Sequence, residues 1–130
     1  MAWIARLPLI AFVGLIAQGG ARAEGLLRDT AEDTRREVQR LVPLGTSVPE
    51  AEALLQAEGL ECTFLRDRGF AYHRPGERNP VYHPPADFLW CDSGERRTGN
   101  PLVSKRWQVM LLETNGSVSR IEASVGLTGM

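Results

Sequence analysis

The sequence lacks the short motifs that most often carry catalysis. It contains no G-x-S-x-G nucleophile elbow, no H-E-x-x-H zinc motif and no glycine-rich phosphate loop. Positive charge is not in excess either, because 15 Lys and Arg side chains stand against 16 Asp and Glu side chains. Nothing therefore indicates a nucleic-acid partner. We predict a protein that is not an enzyme, has no catalytic residues, and needs neither a cofactor nor a metal.

A long apolar segment is also missing. Residues 7–17 are almost wholly apolar, but a membrane-spanning helix needs about 20 such residues. Ala21-Arg22-Ala23 follows, with small residues at both ends of an A-x-A cleavage site. This pattern predicts a signal peptide over residues 1–23, cleaved after Ala23, and a periplasmic or secreted protein. Residues 24–130 are enough for a single domain with a modest core.

Cysteine is scarce, with only Cys62 and Cys91 in the chain. Because an exported chain folds in an oxidising compartment, these two residues predict one disulfide bond. Neither belongs to a C-x-x-C pair, which argues against a metal site or a catalytic thiol. The bond would close a loop of about 30 residues, for which the chain-entropy model gives roughly 3.5 kcal/mol of stabilisation.

Two short amphipathic helices are predicted before the first cysteine. Thr30 is a capping residue for the first helix, and Pro43 excludes helical backbone at the residue before it. Ser47 with Glu50 three residues later forms a capping box for the second helix. Gly59 then provides a left-handed stop. Both helices are short enough to depend on packing for their stability.

Four strands are predicted after the helices, from alternation of apolar and polar residues. They cover residues 60–65, 88–92, 105–113 and 118–125. The resulting fold class is α+β. Two N-terminal helices pack on one face of an antiparallel sheet of about four strands, which makes a two-layer sandwich.

The last two strands flank Thr114-Asn115-Gly116-Ser117, which permits two hairpin registers. A two-residue Asn115-Gly116 loop in a regular ladder scatters apolar residues over both faces. A three-residue loop, Thr114–Gly116, pairs Val109 with Ile121 and gathers the apolar residues on one face. Because burial of one face specifies register, we predict the three-residue loop with Gly116 as a bulge. The polar residues expected to face water are Gln108, Arg120 and Glu122.

A long loop is predicted over residues 66–87, between the two cysteine-bearing strands. It contains two copies of the pattern Tyr-His-x-Pro-x-acid, at residues 72–77 and 82–87. One interpretation is a metal or acid–base site that uses His73 and His83. Another is a proline-rich excursion, with or without a ragged hairpin, whose tyrosines pack back on the sheet.

A third interpretation of this loop is a partner-binding surface, because Tyr and Arg are enriched at interface hot spots. The disulfide would tie both ends of the loop and limit the entropy lost on binding. The predicted partner-binding residues are Phe70, Tyr72, His73, Arg74, Tyr82 and His83.

Two segments carry a resemblance to a known family. They are "LVPLGTSVPEAEALLQAEG", with its capped short helix, and "RWQVMLLETNGSVSRIEASVGLTG", with its aromatic strand and Asn-Gly hairpin. In this order they resemble the BamE/SmpA/OmlA family and its relatives with the beta-lactamase-inhibitor-protein-like fold. The resemblance implies a small bacterial envelope protein that acts by binding, in the family's case in outer-membrane assembly.

The resemblance stops at the residue after the predicted cleavage site. The family's lipoproteins carry a cysteine there, whereas this chain has Glu24, so no lipid anchor is expected. The leading prediction is a monomeric, non-catalytic interaction module with a protein partner in the envelope or outside the cell. The alternatives are a secreted inhibitor that binds an enzyme through residues 66–87, and a small metal-binding protein that uses His73 and His83.

Overall fold

The computed structural model describes residues 23–99 and 101–129, which form three helices followed by four strands. The elements are α1 Ala23–Leu26, α2 Ala31–Leu41, α3 Val48–Ala57, β1 Glu61–Tyr72, β2 Val81–Arg97, β3 Val103–Thr114 and β4 Ser117–Gly129. The strands make one antiparallel sheet in the order β1-β2-β3-β4, so the predicted α+β class is confirmed. The predicted signal peptide lies outside the described residues, apart from Ala23. Within the described part of the chain, no helix is long and apolar enough to cross a membrane.

The two longer helices begin and end where local chemistry predicts. The Thr30 hydroxyl accepts a hydrogen bond from the Asp33 N–H at 3.1 Å, and α2 ends two residues before Pro43. The Ser47 hydroxyl accepts from the Glu50 N–H at 3.3 Å and caps α3. Gly59 follows α3 with a φ of 95°. These caps satisfy backbone groups that a helix end leaves without partners.

The main core contains apolar side chains from the helices and from one face of the sheet. Its fully buried members are Val38, Val42, Ala51, Leu55, Leu89, Cys91, Val109, Leu111 and Val118. Two polar bonds tie the start of the chain to this core. The Thr34 hydroxyl accepts from the Arg28 N–H at 2.9 Å, and the Trp107 indole donates to the Arg28 carbonyl at 2.7 Å. The segment between α1 and α2 is therefore fixed against both α2 and β3.

The predicted disulfide is present between Cys62 on β1 and Cys91 on β2. The two residues are direct partners in the antiparallel ladder, with their Cα atoms 4.1 Å apart. The bond therefore crosses between neighbouring strands, and it also contributes to the main core, where Cys91 is fully buried.

The predicted three-residue turn between β3 and β4 is wrong. Thr114 pairs with Ser117, which leaves a two-residue turn, Asn115-Gly116, with φ angles of 54° and 83°. Positive φ at both positions matches the type I′ geometry, whose twist suits an antiparallel hairpin. The extra residue is not in the turn. It lies in β4, where Ser119 forms a bulge. Its neighbours Val118 and Arg120 pair with consecutive residues of β3, and Ser119 itself has no partner in the ladder.

The buried face of this hairpin is nevertheless the predicted one. Beyond the bulge, Val109 pairs with Ala123 and Leu111 with Ile121, and all four are buried. The predicted register paired Val109 with Ile121, a difference of two residues. Because side chains alternate with a period of two, an even shift keeps every residue on its face.

The predicted long loop over residues 66–87 is also wrong, whereas the ragged hairpin that one interpretation allowed is present, with Tyr72 but not Tyr82 packed back on the sheet. Residues 66–72 and 81–87 extend β1 and β2 into one long hairpin, and only residues 73–80 connect them. We call residues 66–87 the hairpin arm. Two register irregularities conceal its alternation in the sequence, one beside Asp67, which has a φ of 51°. Pro84 and Pro85 fall at the second irregularity, where the ladder does not need their missing N–H groups.

The hairpin arm packs over the second face of the sheet and forms a second cluster there. Its buried members are Tyr72, Phe88, Met110 and Leu112, with Leu65, Phe70, Val81, Ala86 and Trp90 partly buried around them. The Phe70 ring lies 4.8 Å from that of Phe88. The arm reaches the far edge of the sheet, where the His73 N–H donates to the Ala123 carbonyl at 3.2 Å. The sheet is thus apolar on both faces where the arm covers it.

An ion pair between a buried carboxylate and an exposed arginine lies on the second face near the disulfide. Asp92, which is 7% exposed, accepts hydrogen bonds from the Arg106 Nε at 3.0 and 3.1 Å and from the Gly94 N–H at 2.8 Å. Burial by itself raises the pKa of Asp92. The hydrogen bonds from Arg106 and Gly94, together with the charge of Arg106, outweigh this and hold its pKa below the ordinary value.

This pair predicts a pH-dependent contribution to stability. The pKa of Asp92 is lower in the folded state than in the unfolded state, where it is about 3.9. The stabilisation that the ion pair provides is therefore complete above about pH 3.9. It disappears as the pH falls through the folded-state pKa. We expect Asp92→Asn to lower the free energy of unfolding by about 1–3 kcal/mol at neutral pH, and by progressively less below about pH 4.

Urea unfolding of wild type and Asp92→Asn across an acidic pH series measures this difference. Glu61→Gln is the matched control, because Glu61 is the exposed ladder partner of Asp92 and its substitution removes one carboxylate. A destabilisation by Asp92→Asn that is the same at every pH would contradict a role for the charge.

Candidate functional site

Two adjoining clefts lie along the outer edge of β4, between α2 and the turn of the hairpin arm. Their volumes are about 470 and 520 Å³, within the range typical of ligand sites. Both are lined by Glu32, His73, Arg74 and Pro75, so they adjoin one another. We call the two clefts together the β4 groove.

The floor of the β4 groove is a partly unpaired strand edge. The part of β4 nearest the turn is covered, since the Val118 carbonyl and N–H bond to Gly45 and Thr46 at 2.8 Å each. Farther along, the Ala123 carbonyl accepts from His73 and therefore points outward. Alternation makes the backbone groups of Val125 point outward as well. Outside the strand ladders of the described residues, no partner for the N–H of Ala123 or Val125 is found.

Two arginines contact a buried tyrosine in the first cleft. Arg74 and Arg120 each donate from Nη2 to the Tyr72 hydroxyl oxygen, both at 3.2 Å. Their guanidinium groups also lie over the Tyr72 ring, 5.9 and 5.6 Å from its centroid. Tyr72 is only 3% exposed, because its ring belongs to the second cluster. Its hydroxyl is the part that contributes to the cleft.

Glu122 also lines the first cleft, and the prediction that it faces water is wrong. It is 9% exposed and accepts a hydrogen bond from the Arg120 Nε at 2.7 Å. Three residues of the hairpin arm, Tyr72, His73 and Arg74, line the same cleft as Glu122. Burial lowers the pKa of Arg120, but the hydrogen bond and charge of Glu122 outweigh it and raise the pKa above its ordinary value.

A second ion pair forms the opposite wall of the first cleft, on α2. The Arg35 Nε donates to Glu32 at 3.0 Å. This hydrogen bond lowers the pKa of Glu32 and raises that of Arg35, and the charge of Glu122 raises the pKa of Arg35 further. Arg35 therefore lies close enough to Glu122 for the two walls of the cleft to interact electrostatically.

Only three of the six predicted partner-binding residues line the β4 groove. Tyr72, His73 and Arg74 lie together in the β4 groove, where the His73 Nδ1 is 3.2 Å from the Ser124 hydroxyl. Phe70 and His83 stack on each other in the hairpin arm, with ring centroids 4.8 Å apart. Tyr82, the sixth residue, is 77% exposed on the arm.

The described residues contain no cluster suited to a metal ion. No group of three or more His, Cys, Asp or Glu side chains lies close enough together there to bind one. The predicted candidate His83 instead has its Nδ1 2.7 Å from the Pro84 carbonyl.

The sequence analysis did not identify Arg35, Arg120 and Glu122 as site residues. For Arg35 the only signal is its position one turn from Glu32, and that spacing is common on solvated helix faces. Arg120 and Glu122 are two residues apart, so both side chains lie on the second face of β4. This face becomes part of a site only because the distant hairpin arm folds over it.

No family model, curated protein or solved structure matches this chain. The BamE-like resemblance therefore stays a prediction, and function has to be argued from the β4 groove.

Proposed function

We propose that the protein is a non-catalytic exported interaction module that binds an extended segment of a protein partner in the β4 groove. The observation that carries this proposal is the outward N–H of Val125, which is unpaired within the described residues and lies beside the exposed Leu127. A strand edge of this kind binds peptides by adding them as a further strand.

The apolar residues around the groove support this mode of binding. Leu44 and Leu127 are 50% and 70% exposed, and each lines one of the two clefts. In strand addition, main-chain hydrogen bonds provide affinity and pockets for alternate side chains provide specificity. The two leucines offer such apolar contacts, one in each cleft. An exposed strand edge is also an aggregation hazard, which gives a reason for it to have a dedicated occupant.

The fold and location proposed for this module follow the sequence analysis. The helices form a second layer over one face of the sheet, which is supported by the core that they share with β2, β3 and β4. This layer leaves the β4 edge accessible between α2 and the arm. Export to the periplasm or beyond is supported by the predicted signal peptide and by the disulfide, which persists in an oxidising compartment. The BamE-like resemblance favours a partner in the bacterial envelope.

A displayed random-peptide library selected on the wild-type protein tests this function. For the selected peptides, Leu127→Glu is expected to raise the dissociation constant at least about tenfold, because it places a charge on the apolar contact of the groove. Leu102→Glu is the matched control, since Leu102 is 61% exposed and does not line the groove. Selection of no peptide, or equal loss with both variants, would overturn the proposal.

A second candidate function is a secreted inhibitor that inserts the hairpin arm into an enzyme. The observation in its favour is Tyr82, the most exposed large apolar side chain among the described residues, at 77%. Tyr82→Ala separates the candidates. It should abolish binding to the partner of an inhibitor and leave the affinity of groove-binding peptides unchanged.

A further inference from the structure

We propose that Arg74, Arg120 and Tyr72 form a binding site for one carboxylate group of the segment that occupies the β4 groove. This inference rests on the proposed function and specifies the chemistry of the ligand. The carboxylate belongs either to an acidic side chain of the segment or to its C-terminus.

The geometry of these three residues is that of a preformed anion site. Both Arg Nη2 atoms lie 3.2 Å from the same Tyr72 oxygen, so one carboxylate placed over that oxygen is within reach of both guanidinium groups. Tyr72 is held from below by the second cluster, where its ring lies 5.9 Å from that of Phe70. A rigid, 3% exposed tyrosine reduces the conformational entropy that the site loses on binding.

Hydrogen-bond accounting at Tyr72 shows an unused donor. A phenol oxygen has one hydrogen to donate and accepts through its lone pairs. Arg74 and Arg120 carry no acceptor, so both donate to that oxygen and occupy its accepting capacity. Within the described residues, no acceptor for the Tyr72 hydrogen is found. A carboxylate over the site would accept from Tyr72 and from both arginines.

The charge balance favours a single negative charge. Arg120 is already paired with Glu122, and Arg35 with Glu32. Arg74, by contrast, has no carboxylate partner among the described residues, and its guanidinium lies beside that of Arg120 on the same oxygen. One monoanion neutralises this excess and separates the two like charges, whereas a phosphate dianion would be repelled by the nearby Glu122. Guanidinium groups also match the planar shape of a carboxylate.

Titration of the full-length mature protein with acetate tests the site without any peptide. The probe is added at constant ionic strength, and the arginine Nε–Hε resonances are followed by NMR. We expect the signals of Arg74 and Arg120 to shift with saturation. Inorganic phosphate should bind more weakly than acetate. Arg74→Gln and Tyr72→Phe should each raise the dissociation constant for acetate about tenfold, as expected for the loss of one charge-assisted bond.

Arg78→Gln is the matched control, because Arg78 is an exposed arginine of the same turn that does not line the groove. It should leave acetate binding unchanged. Tyr72→Phe keeps the buried ring, so an unchanged circular dichroism spectrum and melting temperature would separate loss of the hydroxyl from loss of the fold.

Equal acetate binding by wild type and Arg74→Gln, or phosphate binding as tight as acetate, would overturn the carboxylate site. That result leaves the proposed function standing if selected peptides still depend on Leu127. Conversely, acetate binding with the expected variant pattern, but no selected peptide, would support the anion site and reject the peptide groove.

Discussion

Replacing Cys62 and Cys91 together by alanine is expected to lower the melting temperature by roughly 15–25 °C. The disulfide has a sequence separation of 29 residues, and the chain-entropy model assigns a loop of that size about 3.5 kcal/mol. For a domain of about 100 residues, each kcal/mol shifts the melting temperature by about 4–8 °C. The bond also joins two directly paired positions, so its loss removes the only covalent constraint on the β1–β2 register within the described residues.

Thermal unfolding with and without dithiothreitol measures this effect. On reduction, the melting temperature of the wild type should fall most of the way to that of the double alanine variant. The variant itself should melt at the same temperature under both conditions. Alanine is preferable to serine, because Cys91 is fully buried and a hydroxyl there would add a desolvation cost. A wild-type melting temperature that does not respond to reduction, with two free thiols detected by mass spectrometry, would contradict the prediction.

Phe88→Ala is expected to lower the free energy of unfolding by about 3–5 kcal/mol. Phe88 is 1% exposed and is the largest of the fully buried side chains, yet it belongs to the second cluster and not to the main core. It lies under Phe70, which holds the hairpin arm on the sheet. Its truncation should therefore release the arm from the sheet before the rest of the fold opens.

Leu89→Ala is the matched comparison, because Leu89 is the next residue, is equally buried and faces the main core. Its expected cost is about 2–5 kcal/mol. Hydrogen exchange at the His73 amide, which donates to the Ala123 carbonyl, is compared with exchange at amides in the centre of β3 and distinguishes the two variants. Phe88→Ala should accelerate exchange at His73 selectively, whereas Leu89→Ala should accelerate exchange at His73 and in β3. Uniform acceleration by Phe88→Ala would show that the arm and the main sheet open as one unit.

The features that were predictable from the sequence depend on neighbours along the chain. The helix caps at Thr30 and Ser47 need only residues three positions away, so the pattern identifies them directly. Which residues of the β3–β4 hairpin face the core depends only on their alternation along each strand. This face was therefore predicted correctly although the register was wrong by two residues. The disulfide was predictable because two cysteines have only one internal pairing.

The features that were not predictable depend on distant contacts or on local irregularity. The hairpin arm resembled a loop because Pro84 and Pro85 mark turns in most contexts, and only the pairing of β1 with β2 shows them to be strand residues. Of the groove residues, Tyr72, His73 and Arg74 were predicted from composition. Arg120 and Glu122 were not, because their place in the groove depends on the arm, whose Tyr72 contacts Arg120 from 48 residues away in sequence.

The strand order has a consequence for how the chain assembles. Every strand pairs with the one next to it along the chain, and we expect the sheet to form by successive hairpins, each of which closes a short loop. Contacts that span most of the chain, such as the Trp107 bond to Arg28 across 79 positions, come only after β3 is in place. Since the groove needs α2, the arm and β4 together, it is among the last parts of the molecule to appear. A partly folded chain therefore exposes the β4 edge before the walls that restrict access to it, and self-association should be fastest at that stage.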